Sequence, residues 1–219
     1  MVSAAVMEDR RIVGEAVFDT RQGHMERLLP VIEQVLSGLA INLQDIDAFA
    51  VAVGPGSFTS LRVGLATAKA FAHANRKPLI GVPTLDALAQ GLHGTPGLIC
   101  PVLTARAHEV YASFYVSDGR GTKRVSGYLA LDPQRLAERL HTELRAGITF
   151  TGEGAMAWWD VLRDALGDRA VLAEPAQMWP RAALVASLGW NDLERRTGET
   201  GRYAVQALYV KPPAIRSSK

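Results

Sequence analysis

The residues equipped for chemistry fall in a few places. Gly54-Pro55-Gly56-Ser57-Phe58-Thr59-Ser60 joins a short apolar run, Phe49 to Val53, to a stretch of helical spacing that begins at Leu61. A buried strand, a glycine turn and a helix start rich in hydroxyls leave backbone N–H groups free at the positive end of the helix, which is where an anion binds. Gly54, Gly56, Ser57 and Thr59 are the candidate cradle. The same glycines also serve a plain strand-to-helix turn, and on these residues alone both readings stand. The loop is not a Walker A loop, because no Gly-Lys-Ser/Thr follows, and it lacks the third glycine of the dinucleotide fingerprint. Phosphoryl transfer would need a carboxylate to place Mg²⁺ and activate an acceptor. Glu109 and Glu153, each after a strand, are the candidates, and Glu153 reads equally as surface charge. The five histidines, at 24, 73, 93, 108 and 141, include no pair at metal-ligand spacing. Cys100, between Ile99 and Pro101 and close to Leu98 and Val102, reads as a buried strand residue rather than a nucleophile. No catalytic or metal-binding residue is expected.

The elements that would position these groups are legible from periodicity. After the glycine turn, Leu61, Leu65, Ala68 and Ala72 line one face of a helix, and Val63, Ala66, Ala70 and Ala74 line nearly the opposite one. Arg62, Lys69 and His73 are confined to a narrow stripe. A helix apolar almost all round is covered on a second side, by another helix of the same lobe or by another protein. Upstream, Met25, Leu28, Leu29, Ile32, Val35, Leu36 and Leu39 recur at steps of three and four, an amphipathic helix with Pro30 inside it. Before it, two short strands, Val2 to Val6 and Ile12 to Phe18, form a hairpin about Glu8-Asp9-Arg10. With strands at 45–53 and 78–82 and a helix from Thr84, the first lobe reads β-β-α-β-α-β-α. Residues 91–97, with three glycines and a proline, mark a boundary, so lobes of 1–97 and 98–219 are expected. The second lobe repeats the plan: strands at 98–104, 109–116 and 124–131, a helix at 133–144, a strand at 148–151, a loop at 152–154, helices at 156–166 and 181–194, and an extended segment at 203–210.

Hydrophobic residues make up 48% of the chain and charged ones 21%, enough for an ordinary core and too ordered a composition for disorder. Basic and acidic side chains number 24 and 22, so charge balance alone does not point to a nucleic-acid-coating surface. A single cysteine excludes an internal disulfide, and no apolar run approaches the ~20 residues of a membrane span. A cytoplasmic protein is expected.

Two successive lobes of this plan resemble the actin, sugar-kinase and Hsp70 superfamily. Within it, Val53-Gly-Pro-Gly-Ser-Phe-Thr-Ser-Leu-Arg-Val-Gly-Leu-Ala-Thr-Ala-Lys69 is similar to the signature of the TsaB (YeaZ) family. Further matches are His24-Met-Glu-Arg-Leu-Leu-Pro30, Pro78-Leu-Ile-Gly-Val82, Ala105-Arg-Ala-His-Glu-Val-Tyr111 and Leu208-Tyr-Val-Lys-Pro212. Ser60 stands where the family usually has glycine. The likeness covers essentially the whole chain.

The resemblance implies a two-lobed, actin-like α/β fold and a place in making threonylcarbamoyladenosine, the modified base beside the anticodon of tRNAs that read codons starting with A. TsaB proteins pair with the paralogous catalytic subunit TsaD, and the small ATPase TsaE joins them. TsaB itself is regarded as a scaffold. TsaD carries a metal-binding His-x-x-x-His, and here Thr84 and Leu88 stand in its place. Leucine cannot bind a cation, and Asp86 between them reads as a helix-solvating charge. The expected partner face is built from Leu28, Ile32, Leu36, Leu61, Leu65, Ala68, Ala70 and Ala72, and without TsaD the same face could pair two copies of the chain. No intrinsic cofactor is expected, ATP or ADP belongs at the complex junction, and tRNA is contacted only indirectly. The alternative is an ATP-dependent phosphotransferase or ATPase of the same superfamily. One departure stands out. The family starts with a strand ending in Ile-Asp-Thr-Ser/Ala, which this chain lacks, and which should lie in mid-sheet between the hairpin and the strand ending at Val53. Two rows of backbone groups would then lack partners. The expectation is that Met1 is an internal methionine with about ten residues, one strand's length, before it.

Overall fold

The computed structural model describes residues 1–19, 24–106, 108–118, 121–143, 146–195 and 205–210. The chain opens as a hairpin of β1 (Val2–Glu8) and β2 (Arg11–Phe18), antiparallel with Ala4 opposite Ala16. Asp9 and Arg10 both take positive φ, 45° and 65°, as a two-residue turn must to follow the twist of its strands. In α1 (His24–Gly38), Val31 and Val35 are buried, and Leu39 just beyond lies over Gly14 of β2. Pro30 falls on the exposed side, where water can satisfy the carbonyl that loses its partner. β3 (Phe49–Gly54) and β4 (Leu79–Pro83) pair in parallel across α2 (Phe58–Ala74), and α3 (Thr84–Gln90) follows β4 directly. The two strand pairs form separate two-stranded sheets, and among the described residues no strand lies between β1 and β3.

From residue 98 onward the strands join one seven-stranded sheet. It contains β5 (Leu98–Thr104), β6 (Val110–Ala112), β7 (Tyr115–Ser117), β8 (Thr122–Arg124) and β9 (Leu129–Leu131). After α4 (Pro133–Glu143) come β10 (Ile148–Thr151), α5 (Glu153–Ala157), α6 (Trp159–Leu166) and β11 (Ala170–Leu172). The order is β11-β10-β5-β6-β9, with β7 pairing β5 and β8. β5 is buried on both faces. Ile99 and Leu103 meet Leu85 and Leu88 of α3, while Cys100 and Val102 meet Leu136, Leu140 and Leu162 beneath α4 and α6.

The strand expected at 109–116 is in fact two. Phe114 N–H donates to Ser126 Oγ at 2.9 Å and Val125 N–H to Phe114 O at 2.8 Å, so the chain steps sideways and the halves pair with different parts of β5. The segment 124–131 splits likewise, into the end of β8 and β9. The helix expected at 156–166 begins earlier, at Glu153, and breaks at Trp158, which leaves only Gly152 of the anticipated loop. Asp132 caps α4 as its position suggests, its Oδ1 accepting from Gln134 N–H at 2.8 Å.

The boundary at Gly97 separates the strands of the two lobes but not the helices. α7 (Ala182–Arg195) crosses back onto β1, β3 and β4 and lies beside α3, with Val185 sharing a core with Ile80, Val82 and Ala87. The first hairpin anchors both of its ends. At its start, Ala183 N–H donates to Glu15 at 3.0 Å, Ala182 N–H donates to Ser3 Oγ at 3.1 Å, and Arg181 pairs with Glu15. At its end Arg10 pairs with Glu194. The Glu15 side chain is only 8% exposed, so it acts as a buried cap at the positive end of α7. Glu15→Ala should therefore cost about 1–3 kcal/mol in urea unfolding, because it strands a buried N–H and a guanidinium. Glu15→Gln, which keeps an acceptor, should cost less.

Candidate functional site

The glycine turn forms where it was expected. Gly54 has φ 108°, a conformation open to glycine and costly for other residues, and it is buried at the end of β3 while Gly56, Ser57 and Thr59 are exposed. Ser57 holds the N-cap position of α2, but its side chain makes no capping hydrogen bond. It accepts instead from Ser60 Oγ at 3.2 Å, while its carbonyl receives Leu61 N–H at 2.9 Å. Residues 205–210 pack against this turn, with Leu208 N–H donating to Val53 O at 2.7 Å.

α1 and α2 lie side by side on their respective strand pairs, and both carry exposed apolar side chains on their outward surface. Leu29 is 55% exposed. With Ile32, Leu36, Ile41, Leu43 and Phe71, and with the polar Glu33, Ser37, Asn42 and Gln44, it lines an open groove of about 580 Å³ bounded by α1, residues 41–44 and the end of α2. Leu28, Ile32 and Leu36 are half-buried along α1, and Ala66 and Ala70 are exposed on α2. Ala72, expected on this face, is wholly buried. Ala72 therefore drops out of the expected partner face, since a side chain with no exposure offers nothing to a partner. Leu61 packs over Gly54 and braces the turn, and Leu65 and Ala68 are half-buried. Sequence reasoning passed over Leu29 and Phe71 as face residues. Leu29 was detectable as the member of the 29-32-36 row that α1 turns away from the strands.

Of the two candidate carboxylates, Glu153 is engaged within the second lobe, and Glu109 contributes its backbone carbonyl there. Glu153 Oε1 accepts from Thr104 Oγ1 at 2.7 Å and from Thr104 N–H at 3.3 Å, which ties the end of β5 to the first turn of α5. Glu109 closes the turn after β5, its carbonyl receiving Ala105 N–H at 2.8 Å. Burial pushes the Cys100 thiol far up, which suits a core residue and not a nucleophile. Thr84 and Leu88 are buried in the core. Among the described residues no group of three or more His, Cys, Asp or Glu side chains could hold a metal ion. His24, whose side chain lies outside the described residues, is not part of that statement.

Asp86 is not the helix-solvating charge expected of it. Its Oδ1 accepts the hydroxyls of Tyr115 at 2.5 Å and Tyr128 at 2.8 Å, reaching from α3 into the second lobe. Arg124 stacks over Tyr128, 4.0 Å from the ring centroid.

A family model described as "TsaD: tRNA N6-adenosine threonylcarbamoyltransferase" matches residues 18–173. The tRNA threonylcarbamoyladenosine biosynthesis protein TsaB of Escherichia coli is 34% identical over 70% of this chain and 69% of its own length. The TsaB of Bacillus subtilis is 27% identical over 84% of this chain and 80% of its own. The chain belongs to the TsaB (YeaZ) family. YeaZ from Pseudomonas aeruginosa superposes with a TM-score of 0.79 over 95% of this chain and 93% of that one, at 24% identity, and so shares the two-lobed α/β fold. Among the described residues no helix is long and apolar enough to cross a membrane.

The tyrosine pair gives this TsaB-family chain a pH signature. Burial first, and the Asp86 charge second, raise both phenols above their usual value near 10. A phenol whose folded pKa is raised stays protonated when the unfolded chain has begun to ionise. Stability is therefore level below pH ~10 and falls above it, by up to ~1.4 kcal/mol per pH unit for the buried Tyr115. Urea midpoints measured between pH 8 and 11 should show this fall, and Tyr115→Phe should flatten it.

Proposed function

We propose that this chain is a non-catalytic subunit in tRNA threonylcarbamoyladenosine biosynthesis, holding a TsaD-like catalytic subunit through the outward face of α1 and α2. The observation that carries the reading is the open groove that apolar side chains of α1 share with Phe71 of α2, with Leu29 exposed in its lining and Ala66 and Ala70 also exposed on α2. Interfaces of lasting complexes have such apolar centres, and small side chains let two helix pairs approach closely as a bundle. One of the two carboxylates that phosphoryl transfer could use, Glu153, is taken up by Thr104, which favours the same reading. On this reading a TsaE-like ATPase joins the pair in the cytoplasm, an adenine nucleotide sits at the junction, and tRNA is met chiefly by the catalytic subunit. Without that subunit the same face closes on a second copy of the chain, as a two-fold interface permits.

The test is co-purification with the TsaD-type subunit encoded in the same genome. Leu29→Asp and Ala70→Glu each place a charge at the centre of the face, where it would be desolvated without a partner. Both should leave the circular dichroism spectrum unchanged and lower the affinity at least a hundredfold, about 3 kcal/mol. Ala72→Glu should instead unfold the first lobe. Normal binding by both surface variants would move the contact elsewhere.

A further inference from the structure

Residues 205–210 cross the end of β3 where α2 begins, and several contacts seat them. Leu208 N–H donates to Val53 O at 2.7 Å. Val205 enters a notch left by Gly81, where an added Cβ would come within 2.7 Å of both Val205 Cγ1 and Val53 Cγ1. Leu208 O and Leu61 Cδ1 both press on Gly54, each 3.0 Å from the place a Cβ would take. Tyr209 lies with its ring centroid 6.1 Å from that of Phe58, and Phe58 carries the Arg62 guanidinium 3.9 Å from its ring centroid. The segment thus interlocks with the glycine turn, with Leu61 and with Phe58, all at the first turn of α2. That turn has no side-chain cap of its own, because Ser57 makes none.

We propose that residues 205–210 are a strap that fixes the first two turns of α2 against β3, so that the shape of the partner face depends on a segment remote from it in sequence. This rests on the reading of α1 and α2 as that face. Val205 and Leu208 are positioning residues, acting on the partner through α2. Tyr209 is 44% exposed, with its ring facing that of Phe58.

The experiment uses the full chain with Leu208→Pro, which deletes the N–H donor, with Val205→Asp, which puts a charge in the notch, and with the mild variant Tyr209→Ala. Hydrogen exchange is followed in α2 and, as an internal control, in α4, and affinity is measured for the TsaD-type subunit. Exchange of the amides of residues 61–65 should rise about tenfold in the first two variants, the scale of one lost hydrogen bond, while α4 stays unchanged. Affinity should fall about tenfold with it, and Val205→Ile should restore most of both. If Leu208→Pro or Val205→Asp loosens α4 as well, Tyr209→Ala decides: no change in α2 with that variant overturns the strap. Unchanged exchange in α2 in all three variants overturns it equally. Loosening of α2 with affinity intact breaks the link between strap and face, and normal binding by Leu29→Asp as well would show that the face itself had been misplaced.

Discussion

Gly189, buried in α7, brings the backbone of that helix against β3 so closely that a methyl group there would come within 2.7 Å of Ala50 Cβ. The first lobe depends on this contact. Its strands form two separate pairs, and a two-stranded pair alone is at best marginal in water. The pairs become one layer because α7 backs β1, β3 and β4 on one side while α1 and α2 cover the other. Ala48, Ala50 and Ala52 present small side chains to α7 and its neighbours, and larger ones would push the helix away and open both pairs to solvent. The buried Glu15 at the start of α7 then fixes where along the strands the helix sits.

The relation between the lobes is set by α3. Leu85, Leu88 and Ala89 share a core with Ile99, Leu103 and Tyr115, while Ala87 turns toward Ile80, Val82 and Val185. Polar ties then fasten the same helix to the second lobe. Asp86 takes two tyrosine hydroxyls, Gln90 Oε1 accepts from the backbone N–H and the hydroxyl of Thr122, and Gln177 Nε2 donates to Gly91 O. Enzymes that close two lobes over a substrate need an interlobe contact with two arrangements of similar energy. A helix buried on both sides and tied by hydrogen bonds, two of them to the Asp86 carboxylate, favours one arrangement of the lobes.

Much of this fold can be read from the sequence because the long elements repeat cleanly. The hairpin, α1, the β3-α2-β4 unit and α3 follow from periodicity and from Gly-Pro punctuation. The errors have local causes. Residues 109–116 look like one β-rich run, yet the sidestep at Ser113 and Phe114 is made by Ser126 and Gly127, which propensity cannot foresee. β11 is three residues long, too short for any period to declare itself. The partner face was harder still. Periodicity sets Ala70 and Ala72 on opposite faces of a helix apolar nearly all round without saying which face turns inward, and Ala70 is exposed while Ala72 is buried. Asp86 carried no signal of its role, since its two phenols lie 29 and 42 residues away.

Because α7 lies over β1, β3 and β4, these strands leave the ribosome well before the helix that covers them. Roughly 170 residues separate β1 from α7, so these strand pairs emerge uncovered on one side, and translation at ~5–20 residues per second makes that interval many seconds long. Such strand edges are open to pairing with another chain. The nascent polypeptide therefore passes through a period when its N-terminal half is exposed, and a chaperone that shields strands has the most to do there.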